Sequence, residues 1–181
     1  MKNKATFYLT FCALFAALTA VASQISVPMQ PVPINLATFS VYLAGAVLGA
    51  RCGAISQSVY VLLGAAGLPV FAQFRGGFHV ILGPTGGYII GYIAAAWLVG
   101  FLTERLGGGT LRRVLFMTAG MALCYLLGTV WFILLTKTGL WAALTMCVFP
   151  FLIGDAVKIA AAAVMAPRLR TAFQKVPQGE I

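Results

Sequence analysis

Val148-Phe-Pro-Phe-Leu-Ile-Gly-Asp155-Ala-Val-Lys158-Ile-Ala-Ala-Ala-Ala-Val-Met165 is an apolar run interrupted by one acid and one base. A helix crossing a bilayer needs about 20 predominantly apolar residues, and this run with its flanks supplies them. An ionisable residue inside such a span costs roughly 2.5–3.5 kcal/mol on insertion scales. The whole chain holds three acids, Glu104, Asp155 and Glu180, so one of them sits where it is least tolerated. Residues of this kind face a cavity or the bundle interior and mark a functional site. The i,i+3 spacing puts both side chains on one helix face, so one spot in the membrane offers an acceptor and a cationic donor together.

The rest of the chain agrees with a membrane reading. It has 181 residues, 61% hydrophobic and 8% charged, with a mean hydropathy of +0.99. Soluble domains carry about 25% charged residues. The expected fold is an all-α integral membrane protein, a single transmembrane domain over residues 1–181 built as a bundle of six helices at about 5–23, 36–50, 53–66, 85–103, 114–136 and 140–167. Lys2, Lys4 and Ala20-Val-Ala22 imitate a secretory signal, but the apolar run is long for one and further spans follow, so a retained first helix is expected. A net charge of +9 comes from basic residues flanking apolar segments, which fits topology and lipid headgroups and not nucleic acid. With the N-terminus in the cytoplasm, nine Lys and Arg fall inside, and only Arg75 and Lys137 outside. Both termini are therefore predicted to be cytoplasmic.

This topology places two irregular connections on the outer side. Val27-Pro-Met-Gln-Pro-Val-Pro-Ile34 holds three prolines and cannot continue a helix. Residues 67–88 are long, glycine-rich and include Phe71, Phe74 and Phe78. Apolar irregular backbone near a membrane is tolerated where it is buried or lines a cavity. These loops can cap a pocket whose floor holds Asp155 and Lys158, or pack as surface loops above a structural ion pair. Gly83-Pro-Thr85-Gly-Gly-Tyr88 lacks the Gly-Lys-Ser/Thr ending of a phosphate loop. Thr85 instead suits the cap of the fourth helix, whose exposed N–H groups would face the pocket. Asn35 and Thr38 open the second helix, and Gln57 and Tyr60 lie on the third, each turned inward or bonded to a neighbouring helix.

Cys12, Cys52, Cys124 and Cys147 form no CxxC pair, and His79 is the only histidine, so no metal or disulfide framework is expected. No HExxH, GxSxG or Walker motif is present, so neither catalysis nor ATP hydrolysis is expected of the chain. Ala13-x-x-x-Ala17 and Ala16-x-x-x-Ala20 permit close helix approach, either within the chain or toward a partner helix.

Together, Pro31-Val-Pro-Ile34, Leu43-Ala-Gly-Ala-Val-Leu-Gly49, Gly67-Leu-Pro-Val-Phe-Ala72, Gly83-Pro-Thr-Gly-Gly-Tyr88 and Gly154-Asp-x-x-Lys158 resemble the BioY family, across about residues 13–167. These are the biotin-specific substrate-binding (S) components of energy-coupling-factor (ECF) vitamin transporters. The resemblance implies a six-helix subunit of the prokaryotic plasma membrane that captures biotin from outside. It also implies association with a transmembrane coupling protein and two cytoplasmic ATPases, and no cofactor. The first-helix alanines are the family's docking surface, here Ala13 and Ala17, or Ala16 and Ala20 in the other register. Where family sequences often read Pro-Val-Pro-Ile-Thr-x-Gln-Thr, this chain has Asn35-Leu-Ala37-Thr38, so the glutamine is missing at Ala37 and Asn35 stands in for some of its contacts.

The chemistry of biotin suggests roles for these residues. Asp155 accepts from the ureido N–H groups, and Lys158 donates to the carbonyl or holds Asp155 as an anion. Gln73, Tyr88 and Gln57 add polar contacts, Phe71 and Val70 pack on the rings and chain, and Arg75 meets the carboxylate near the entrance. The rival readings are an S component for another small vitamin, a small intramembrane enzyme using Asp155 as base, and a purely structural membrane partner.

Overall fold

The computed structural model describes residues 2–175. Its helices are α1 (Lys2–Gln24), α2 (Ala37–Ala65), α3 (Phe78–Leu82), α4 (Gly86–Leu106), α5 (Thr110–Thr136), α6 (Leu140–Cys147) and α7 (Phe149–Lys175). Five of them, α1, α2, α4, α5 and α7, are long and apolar enough to cross a membrane. Within lipid every backbone N–H and C=O needs an internal partner, which continuous helices provide. Their outer faces carry large apolar side chains, with Ile153 81% and Leu9 63% exposed, as a hydrocarbon solvent favours and water does not. Ala96 and Val99 of α4 are fully buried, placing that helix at the centre, packed on α2 and α5. The proline segment forms a short hairpin, β1 (Ser26–Val27) against β2 (Ile34–Asn35), with Val27 opposite Ile34.

α2 holds the second and third expected helices, and the break between them falls at Gly49 and not at Arg51. Gly49 adopts φ 85° and ψ −178°, inside an otherwise helical run. Glycine enters this region without the steric cost of a Cβ. Here the space is also taken: a Cβ would lie 1.9 Å from Glu104 Oε1. That oxygen accepts the Ala50 N–H at 3.0 Å, so Glu104 satisfies a backbone donor exposed by the break. Beyond Gly49 the two halves fold back on each other. A Cβ on Gly53 would stand 3.0 Å from Gly45 Cα, whereas eight residues of continuous helix would separate the two by about 12 Å.

The sixth expected helix is divided. Val148 (φ −126°, ψ −59°) separates α6 from α7. Pro150 lies in the first turn of α7, where its missing N–H has no helical partner to lose. α7 then runs through Pro167 to Lys175, beyond the expected end. An internal proline strips the carbonyl four residues earlier of its donor. That carbonyl belongs to Ala163, and Arg113 of α5 donates to it at 3.3 Å, which is how the helix continues.

Candidate ligand-binding site

α7 presents Asp155 and Lys158 to the interior, 2% and 8% exposed. Lys158 Nζ lies 2.8 Å from Asp155 Oδ1. Two further helices close the group. Thr38, from the first turn of α2, donates to Asp155 Oδ1 at 3.3 Å and accepts from Lys158 Nζ at 3.3 Å. The hydroxyl of Tyr125, from α5, donates to Asp155 Oδ2. A buried carboxylate is stable only when paired and hydrogen-bonded, and both conditions are met. An ionised carboxylate has about four lone-pair sites, so capacity remains for one more donor.

These four side chains floor a cavity of about 70 Å³. Its lining takes in Asn35, Phe71, Arg75, Thr85 and Tyr88 among the residues singled out from sequence. Asn35 Oδ1 accepts the Ala37 N–H at 3.0 Å, an Asx turn that starts α2. Tyr88 exchanges a hydrogen bond with Thr129 Oγ1 at 3.0 Å. Thr85 occupies the cap position of α4 without a side-chain cap bond, leaving its hydroxyl for the cavity. Arg75 is exposed, at the mouth.

The roof is the segment between α2 and α3, and it is fastened to α1. Phe71 and Arg75 pair backbone to backbone, with Phe71 N–H donating to Arg75 O at 2.9 Å and the return bond at 3.2 Å. Gln24 holds the segment from below. Its Nε2 donates to the carbonyls of Val70 (3.1 Å) and Phe71 (3.2 Å), and its Oε1 accepts the Phe74 N–H at 2.9 Å. Phe71 is thereby set edge-on to Tyr60, with ring centroids 5.5 Å apart.

Gln57 and Gln73 do not line this cavity. Gln57 is fully buried between α1 and α2, where Nε2 donates to Thr19 Oγ1 at 3.2 Å. Gln73 sits on the roof with φ 61°. On α1, Ala13 and Ala17 face outward while Ala16 is buried and Ala20 half-buried. Tyr125, Tyr92 and Phe151 line the cavity and were not singled out from sequence. A lone tyrosine in an apolar helix signals little until its neighbours are known.

A profile of the BioY family matches residues 1–175. The chain belongs to the BioY family. Among relatives, the probable biotin transporter BioY of Pyrococcus horikoshii is 46% identical over 158 residues, covering 87% of this chain and 93% of that protein. The biotin transporter BioY of Thermotoga maritima is 39% identical over 164 residues, covering 87% and 92%. A crystal structure of the S-component for biotin from an ECF-type ABC transporter superposes with a TM-score of 0.88 at 27% identity, covering 94% of each chain. The departure at Ala37 is accommodated within this fold: Ala37 is fully buried beneath Asn35, whose side chain binds its N–H.

Proposed function

We propose that this chain captures biotin from the outer side of the plasma membrane as the S component of an ECF transporter. The observation that carries the proposal is the Asp155, Lys158, Thr38 and Tyr125 group at the floor of an otherwise largely apolar cavity, in a member of the BioY family. Asp155 accepts a ureido N–H with its remaining lone pair, and Lys158 both holds it anionic and donates to the ureido oxygen. Tyr60, Phe71 and Tyr92 pack on the fused rings, and Arg75 meets the carboxylate at the mouth. Small-molecule sites usually enclose about 300–1,000 Å³. The 70 Å³ cavity is below that, so entry requires the roof held by Gln24 to shift.

The fold-back at Gly49 divides α2 into two legs, which supports six crossings and cytoplasmic termini. It leaves Arg51 and Glu104 at the same end of the bundle as Arg112 and Arg113. A coupling protein docks on α1 through Ala13 and Ala17, the outward register, and two ATPases supply the energy. Function here is capture and delivery, without chemistry on the ligand.

Thermal unfolding of detergent-purified protein tests this reading. A ligand bound only by the folded state stabilises by about 4 kcal/mol at a thousandfold excess over Kd. Biotin is expected to raise Tm strongly, and riboflavin and thiamine to leave it unchanged. An equal response to all three, or none to biotin in folded protein, would sink the assignment.

A further inference from the structure

A second cavity, of about 180 Å³, lies at the other end of the helices from the site described above. Thr85 lines the first and Thr103 the second, about 27 Å apart along α4 at 1.5 Å per residue. Two arginines line the second cavity from different helices, Arg113 of α5 and Arg170 of α7, beside Gly108, Thr171 and Gln174.

Arg113 is fixed in place. It donates to Gly108 O at 3.1 Å, and to the Ala163 carbonyl that Pro167 leaves without a helical donor. A guanidinium has five N–H donors, so these bonds and a long one of 3.5 Å to Thr110 Oγ1 do not exhaust it. Arg170 has no hydrogen bond or ion pair among the described residues. Neither arginine has a carboxylate partner there: Asp155 is committed to Lys158, and Glu104 to the Ala50 N–H. With twelve Lys and Arg against three acids, cations stay in excess with Glu180 counted.

We propose that this cavity binds a phosphate group, carried by an anionic phospholipid headgroup or by a free phosphate. The planar fork of arginine matches phosphate oxygens in a bidentate way. Basic pockets between membrane helices on the cytoplasmic side take anionic headgroups. The cavity is also far larger than the roughly 10–15 Å³ that holds a single water. The assignment is independent of what the first cavity binds.

The test uses the full chain in nanodiscs of phosphatidylcholine, with and without phosphatidylglycerol. A third arm adds sodium phosphate to the phosphatidylcholine discs, against sodium chloride at equal ionic strength. Phosphatidylglycerol is expected to raise Tm by about 4–8 °C, the scale of two arginine contacts to anionic lipid in a chain of this length. Arg170→Gln should lose about half of that rise, the share of one of the two arginines. Arg168→Gln, exposed on the same helix and outside the cavity, should keep it. A rise with inorganic phosphate that Arg170→Gln also lowers assigns a free phosphate as the ligand. Arg170→Glu is the second variant, and a monodisperse size-exclusion profile with wild-type helical circular dichroism reports that each variant is folded. No rise in either arm, a full rise retained by either Arg170 variant, or an equal loss in Arg168→Gln would overturn the site.

Discussion

Replacing Lys158 with methionine keeps the length of the side chain and removes its charge. Asp155, 2% exposed, is then left with two neutral donors, Thr38 Oγ1 at 3.3 Å and the Tyr125 hydroxyl. Removing one partner of a buried ion pair costs about 3–5 kcal/mol, because the other charge stays buried and uncompensated. At about 2–4 °C per kcal/mol for a chain of this size, Tm should fall by about 6–20 °C. The double variant Asp155→Asn/Lys158→Met removes the stranded charge and keeps an oxygen acceptor for Tyr125. It should recover most of the lost stability, because exchanging both members of a buried pair for neutral groups is often close to neutral. Biotin affinity should be lost in the single and the double variant alike. Thermal unfolding of the purified proteins in one detergent measures the first effect and equilibrium binding the second. Lys158→Met melting with the wild type, or a double variant no more stable than the single one, would refute the reasoning.

Three further outcomes are expected. Gln24→Leu frees the roof from α1, so biotin should dissociate about tenfold faster, read by displacement with unlabelled ligand, as expected for the loss of about 1.4 kcal/mol of hydrogen bonding. Gly49→Ala forces a Cβ into a positive-φ position 1.9 Å from Glu104 Oε1 and should lower Tm by several degrees, with Glu104→Gln milder. Ala17→Trp, on the exposed face of α1, should leave biotin binding by the isolated chain unchanged while abolishing uptake in cells that supply the coupling protein and ATPases.

The legibility of this chain follows the range of the interactions involved. Asp155 and Lys158 stand out because their neighbours in sequence are apolar, and their pairing is local. Positions of long apolar helices were legible for the same reason. The break at Gly49 was misplaced by two residues, because a charged Arg51 is a stronger local signal than one glycine among several. The donor that the break exposes, the Ala50 N–H, finds its partner in Glu104, 54 residues away. Continuation of α7 past Pro167 depends likewise on Arg113, 50 residues before Ala163. Thr38 and Tyr125 were illegible as a unit, since they meet Asp155 only when α2, α5 and α7 converge. Gln57 was open between facing the pocket and bonding a neighbouring helix, and packing settles it on the second, at Thr19 in the α1–α2 seam. In the roof, Phe71 and Arg75 are brought together by a backbone pair that no residue pattern announces.

The most direct test of the site is a binding cycle on Asp155 and the ureido group. Kd would be measured for wild type and Asp155→Asn, each with biotin and with an analogue methylated on both ureido nitrogens. A hydrogen bond to a charged acceptor contributes about 1.5–3 kcal/mol, so methylation should weaken wild-type binding by at least tenfold more than it weakens binding to Asp155→Asn. Equal losses in the two proteins, or an Asp155→Asn variant that binds biotin as tightly as the wild type, would contradict the claim that Asp155 receives the ureido N–H.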